Sequence, residues 1–213
     1  YEKGLLFNVI ISFIAFSFAT SATYIFNDIM DAKKDQAHPT KKNRPIASKQ
    51  LPVWVAVIEM GFLLFISLFL AEALNHLFFV ILIFYLGMQL FYSLGLKNAH
   101  VIDILIIATG FILRVYSGAL VIDAHLSVWF LLCVVSASLF LAAGKRRSEM
   151  NHLGADEGKT RTSLSKYSKE LLNSYVTMFA NATWMSWSLY TFFESPKASL
   201  GFWLVLAELS RAT

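Results

Sequence analysis

One cysteine, Cys133, in 213 residues leaves no partner for a disulfide within the chain and too few thiolates for most Cys-based metal sites. It lies within an apolar run and reads as a small buried hydrophobe. Charge is scarce as well. Only 15% of the residues are charged against 57% hydrophobic, a balance that argues against a soluble globular domain. The five histidines are scattered without metal-ligand pairing. There is no glycine-rich phosphate loop, no nucleophile elbow and no HExxH motif, so the chemistries those motifs carry have no foothold here.

What the chain does have is apolar length. Stretches of about 20 residues, enough to cross a bilayer, recur along it. Six full spans are expected, about Leu5–Phe26, Val53–Ala73, Leu77–Leu96, Val101–Ile122, Ser127–Ala143 and Leu171–Phe193, with a shorter seventh at Ser199–Leu209. The fold class is therefore all-α, a multi-pass transmembrane helical bundle forming one domain over 1–213. The opening stretch, with Lys3 ahead of it and small residues at Ala19–Ala22, has some features of a secretory signal. Its apolar character continues to Phe26 and the rest is equally membrane-like, so it reads as a spanning helix of a longer chain.

The connections alternate in charge. Segments 27–52, 97–100 and 144–170 hold six, one and seven Lys and Arg, whereas 74–76, 123–126 and 194–198 hold only Lys197. The positive-inside rule puts the first set on the cytoplasmic side, in agreement with the span count at each step, and a cell (plasma or inner) membrane is the expected location. The first span then starts outside, and an intact protein with a cytoplasmic N-terminus needs another helix before Leu5. The outer turns are too short for chemistry, so any phosphorylated substrate comes from the cytosolic side.

The segment Asn27 to Ser48 is a polar island between two spans. Asp28, Asp31 and Asp35 follow one another at +3 and +4, on one face if the preceding helix continues through them. Like charges so spaced repel by roughly 0.2–0.5 kcal/mol per pair, and a helix C-terminus disfavours anions. A cation would relieve both penalties, and hard oxygen ligands point to Mg²⁺ or Ca²⁺. The plainer alternative is a solvated acidic helix end. Lys41, Lys42 and Arg44, residue types that hold phosphates, follow directly.

Other polar groups are fewer. Asp103, Gly110, Arg114 and Ser117 recur on one face of the fourth span, with Arg114 roughly 16 Å along the axis from Asp103. Arg114 should face a polar cavity or join an Asp–Arg bridge, because an unpaired Arg facing lipid costs at least about 2.5 kcal/mol. Gly87, Gly110 and Gly118 are expected at close helix approaches. Tyr92 and Lys97 end the third span, either as interfacial anchors or as site residues beside the aspartates. Gly144 to Glu149, GKRRSE, is a second island, and Lys159 to Lys169 reads as a loop with Tyr167 near the interface. Glu59, Trp184 and Trp187 read as packing or interfacial groups.

Asn27-Asp28-x-x-Asp31-x-x-x-Asp35 resembles the first aspartate-rich motif of the UbiA superfamily of intramembrane prenyltransferases, and Tyr92 with Lys97 resembles that superfamily's Tyr…Lys element. The resemblance covers nearly the whole chain. It implies a nine-helix bundle around a cavity capped on the cytoplasmic side, with the present spans as helices two to eight. It also implies Mg²⁺ held by Asp28, Asp31 and Asp35, with Asp28, Asp31 and Lys97 as catalytic residues. Many members carry a second aspartate motif after the sixth helix; here that place reads GKRRSE, basic where acid is expected.

Together with HPTKKNRPIAS, LKxxxxxD, GFILR and KTRTSLSKY, this departure is similar to the decaprenyl-phosphate phosphoribosyltransferase branch. That branch implies phosphoribosyl diphosphate and a polyprenyl phosphate as substrates, diphosphate as leaving group, and a product used for cell-envelope arabinan. The substrate contacts implied are Asn27, Lys41, Arg44, Tyr92, Asp103, Arg114, Lys145, Arg146, Arg147, Glu149 and Tyr167. Three phosphorylated groups beside two acidic motifs would repel, and Lys145, Arg146 and Arg147 supply the opposite charge. An aromatic prenyltransferase and a non-enzymatic transporter or lipid-binding protein stand as alternatives, and homo-oligomerisation stays open. Polarity concentrated on one face of the membrane argues against the transporter. No nucleic-acid partner is indicated.

Overall fold

The computed structural model describes residues 2–37, 41–99, 101–153 and 167–194, and all regular structure among them is helical. The six long helices are α1 (Glu2–Gln36), α2 (Val53–Leu74), α3 (His76–Leu94), α4 (Ile102–Val121), α5 (Val128–Leu153) and α6 (Lys169–Phe193), with short 3-10 turns at Lys41–Asn43 and Leu96–Asn98. Five of them, all but α6, are long and apolar enough to cross a membrane. Helices are the natural outcome for such sequences, because lipid offers no partner for a backbone N–H or C=O. The sixth expected span is present as α6, whose run of Asn173, Ser174, Thr177, Asn181 and Thr183 makes it more polar than the rest. The seventh expected span, Ser199–Leu209, and most of the Lys159–Lys169 segment lie outside the described residues.

Two helices run further than their apolar stretches. α1 continues ten residues past Phe26, through all three aspartates, and α5 continues through the whole GKRRSE island to Leu153. Neither extension contains proline or glycine beyond Gly144, and Lys, Arg, Glu and Gln are good helix formers. Lys33 and Lys34 in the last turn of α1 favour the dipole at that end.

The turns are local and economical. Asn75 alone separates α2 from α3: it takes an extended conformation (φ −166°, ψ 129°), and its Oδ1 accepts from the Leu77 and Phe78 N–H groups at 2.8 and 3.3 Å. Ser168 caps α6 in the same way, accepting from the Leu171 N–H at 3.1 Å.

Small residues pack inside and large ones face out. Ala15, Ala19 and Ala22 on α1 and Ala56, Ser67 and Ala71 on α2 are buried, which lets these two helices approach closely. Ser67 Oγ donates to the Ala15 carbonyl across that contact at 2.7 Å. The opposite face of α2 presents Ile58, Phe62, Phe65 and Phe69, exposed as lipid-facing residues should be. One core cluster joins Ala15, Phe16, Ala19, Ala71, Phe78, Leu82 and Tyr85 from α1–α3. A second joins Ile104, Ala142, Ala143, Met150 and Leu172 from α4–α6 with Tyr167 just before α6.

Of the three glycines expected at close approaches, only Gly110 has one: a Cβ there would meet the Gln89 side chain at 3.4 Å and Tyr85 at 3.5 Å. Gly87 and Gly118 have nothing within 4 Å among the described residues. The close contacts are made by alanine and serine instead.

The α1–α2 seam gives a direct test. Ser67→Ala should lower the unfolding free energy by only about 0.6 kcal/mol, the usual worth of such a bond in a membrane protein. Ser67→Leu must force the helices apart and should cost about 1–3 kcal/mol. Denaturation by sodium dodecyl sulfate from mixed micelles would measure both, and equal losses would refute the close approach.

Candidate active site

The succession of antiparallel helices brings the end of α1, the α3–α4 connection, the end of α5 and the start of α6 to one end of the bundle. The extended α1 carries Asn27, Asp28, Asp31 and Asp35 there, and each carboxylate already has a cationic partner. Arg44, folded back by the chain after the Lys41–Asn43 turn, bridges two of them: its Nη1 lies 2.7 Å from Asp28 Oδ1 and 2.8 Å from Asp35 Oδ2. Lys97, from the α3–α4 connection, sits on the third. Its Nζ is 2.6 Å from both oxygens of Asp31 and 3.2 Å from Asn27 Oδ1.

Burial grades these groups. The Asp35 side chain is 7% exposed and that of Lys97 8%, whereas Asp28 and Asp31 keep 31% and 20%. Asp28 and Asp31 are therefore the carboxylates a ligand can reach first. Among the described residues no three acidic, His or Cys side chains converge as a ready-made metal cage. Mg²⁺ commonly takes one or two protein carboxylates and completes its shell with phosphate oxygens and water. The hard oxygens of Asp28 and Asp31 suit it in kind.

A second ionic centre lies beside the first and is wholly buried. Arg146 and Asp103 are each 0% exposed, with Arg146 Nε 2.9 Å from Asp103 Oδ2. The Nε–H is not aligned with that oxygen, so the contact is an ion pair rather than a hydrogen bond. Arg146 also pairs with Glu149 one turn on, and its Nη2 donates to Tyr92 Oη at 3.2 Å. Tyr167 donates its hydroxyl to Asp103 Oδ1 at 2.8 Å and accepts the Val101 N–H at 2.9 Å. Burial and then the hydrogen bond to Asp103 push the Tyr167 phenol above its ordinary range, so it stays protonated. An Asp–Arg bridge to a neighbouring helix thus exists for Asp103, through Arg146 of α5, and Arg114 takes no part in it.

The basic island divides accordingly. Arg146 points into the protein, while Lys145 and Arg147 are exposed on the same helical turn. Lys41 is exposed near Asp28 and lowers the cost of its charge.

Arg114 occupies a third place, away from the aspartates. Its Nη2 donates to Thr20 Oγ1 and Tyr85 Oη, both at 3.1 Å, and its guanidinium lies 5.3–5.5 Å from the ring centroids of Phe111, Tyr85 and Phe16. It lines a cavity of about 640 Å³ with Phe13, Phe16, Thr20 and Ser117. The cavity expected to be polar is instead lined mainly by apolar side chains, and Arg114 meets polarity in the Thr20 and Tyr85 hydroxyls and cation–π contact in the aromatic faces. Thr20 and Tyr85 were not legible as site residues, although Tyr85 lies seven residues before Tyr92 on the same face of α3.

The family model for the UbiA prenyltransferase family matches residues 2–210. The decaprenyl-phosphate phosphoribosyltransferase of Mycolicibacterium smegmatis is 38% identical over 184 residues, 86% of this chain and 58% of that protein. The protein of the same description from Corynebacterium glutamicum is 38% identical over 195 residues, 90% of this chain and 58% of that one. The chain thus spans less than two thirds of the length of these curated relatives. A solved UbiA homolog from Archaeoglobus fulgidus, bound to GPP and Mg²⁺, shares the fold at a TM-score of 0.77 and 17% identity, over 94% of this chain and 72% of that one.

The buried centre should behave as a matched pair. Arg146→Met strands the Asp103 charge and should cost about 3–5 kcal/mol. Adding Asp103→Asn removes that charge while keeping an acceptor for Tyr167, and should recover part of the loss. Thermal unfolding of the intact protein in detergent would compare them; a double variant no more stable than Arg146→Met alone would contradict the pairing.

Proposed function

The chain belongs to the UbiA prenyltransferase family, and we propose that it forms the core of an enzyme transferring 5-phosphoribose from phosphoribosyl diphosphate to a polyprenyl phosphate. The observation that carries this reading is the set of three carboxylates held by Arg44 and Lys97 at the bundle end that also bears the basic turn of α5. Such an end offers both signs of charge to a ligand that brings phosphates and a divalent cation. The phosphoribosyltransferase description of relatives 38% identical over most of this chain supports the choice of donor and acceptor.

In the proposed reaction an oxygen of the lipid phosphate forms a bond to ribose C1 as the C1–O bond to diphosphate breaks, and diphosphate leaves with the electron pair. Asp28 and Asp31 would hold Mg²⁺, which when bound supplies positive charge to the departing diphosphate. Arg44 and Lys97 can turn from the carboxylates to phosphate oxygens when these arrive, since both are donors only and either partner satisfies them. Lys41, Lys145 and Arg147, exposed at the same end, give further positive charge for the 5-phosphate and the lipid phosphate. A phosphate monoester is largely dianionic near neutral pH, with a second pKa of about 6, so its oxygen attacks without a strong general base. Arg146 contributes by holding α4, α5 and Tyr92 in place. The charge asymmetry of the connections supports a cytoplasm-facing site in a cell membrane.

Incubating the intact, full-length protein with Mg²⁺, labelled phosphoribosyl diphosphate and a polyprenyl phosphate should give a labelled lipid. Asp28→Asn and Asp31→Asn should each lower turnover about 100-fold or more, as expected for charge-stabilising groups, with little change in thermal unfolding for Asp28→Asn, whose side chain is 31% exposed. Consumption of a prenyl diphosphate with an aromatic acceptor, while phosphoribosyl diphosphate is ignored, would overturn the assignment in favour of an aromatic prenyltransferase.

A further inference from the structure

Lys97 stands in a short connection anchored on both sides to the same buried centre. Five residues before it, Tyr92 Oη receives the Arg146 Nη2–H. Four residues after it, the Val101 N–H is given to Tyr167 Oη, whose own proton goes to Asp103. Between these anchors the Leu96–Asn98 turn delivers Lys97, itself 6% exposed, to Asp31.

Val101 is the strained point of this path. Its backbone has φ 68° and ψ −43°, in the region that glycine tolerates and a β-branched residue avoids. Such a conformation persists only where the surroundings over-determine it. Val101 is the N-cap of α4, and its carbonyl accepts from the Ile104 and Leu105 N–H groups at 3.0 Å each. Its own N–H, with no place in the helix ladder, finds the hydroxyl of a residue 66 positions away.

We propose that Tyr167 is a positioning residue for Lys97: its hydroxyl, held by Asp103, fixes Val101 in the positive-φ conformation that turns the chain so that the Lys97 ammonium meets Asp31. Without that hydroxyl Val101 relaxes to negative φ, the turn re-routes, and Lys97 leaves the carboxylate. This makes Tyr167 a determinant of the donor site without contact to any substrate. The functional consequence rests on the phosphoribosyl-transfer reading; the geometry does not.

The test uses the full-length protein in detergent and reads Lys97 directly, as its rate of acylation by an amine-specific reagent followed by mass spectrometry. Tyr167→Phe, which keeps the ring, should raise that rate about tenfold. Adding Val101→Gly should return it close to the parent value, because glycine holds positive φ without strain. The apparent affinity for phosphoribosyl diphosphate should weaken and recover in parallel. Unchanged labelling in Tyr167→Phe would overturn the inference. So would a rise that Val101→Gly fails to reverse, since that is what simple damage to the core would give. Should Tyr167→Phe unfold, refolding on addition of Val101→Gly supports the inference and continued unfolding overturns it. A parent protein that ignores the donor while the labelling pattern holds refutes the functional reading alone.

Discussion

A guanidinium and a carboxylate with no exposure to solvent, Arg146 and Asp103, hold together the end of the bundle where the chemistry is expected. Removing two charges from water is expensive, and their mutual attraction offsets that cost only when further hydrogen bonds satisfy both groups. Here Glu149 and Tyr92 take the two Nη groups of Arg146, and Tyr167 and the Ile104 N–H both donate to Asp103 Oδ1, while Nε and Oδ2 face each other as the ion pair. Because these partners come from α3, α4, α5 and the residue just before the α6 cap, the pair ties three helices to the entry of a fourth. The connection carrying Lys97 takes its course from that meeting.

Packing elsewhere serves the same end. Alanines and Ser67 let α1 lie close on α2, and the aromatic residues of α2 face outward, so stability comes from fit and a few interhelical bonds. The firmly packed α1 is then extended past its apolar part, carrying three aspartates beyond it. Repulsion among them is relieved by Arg44 and Lys97, neither of which lies on α1. A site neutralised internally in this way can exchange those contacts for a ligand of mixed charge without leaving any carboxylate exposed to its neighbours alone.

Much of this was legible in the chain. Hydropathy and charge alternation gave the order of the first six helices, and the +3, +4 spacing gave the face that Asp28, Asp31 and Asp35 share. The KRR run was legible only as a run: three basic residues look alike in sequence, yet a helix turns about 100° per residue, so Arg146 enters the core while Lys145 and Arg147 stay outside. Glycine was a poor guide to helix contacts, because alanine and serine are nearly as small and more compatible with a helix. The role of Val101 had no signal at all, since nothing in a valine announces a positive φ.

What the sequence alone determined is what depends on near neighbours: apolar length, helical phase, the sidedness of charge and the acidic motif. Only the tertiary structure decided which cation faces which carboxylate, that Asp103 answers Arg146 and not Arg114, and that Lys97 reaches Asp31 from 66 residues away. The reason is physical. Periodicity fixes the direction in which a side chain leaves its own helix, but its partner is set by how separate helices rotate and slide to bury their small residues and satisfy their charges.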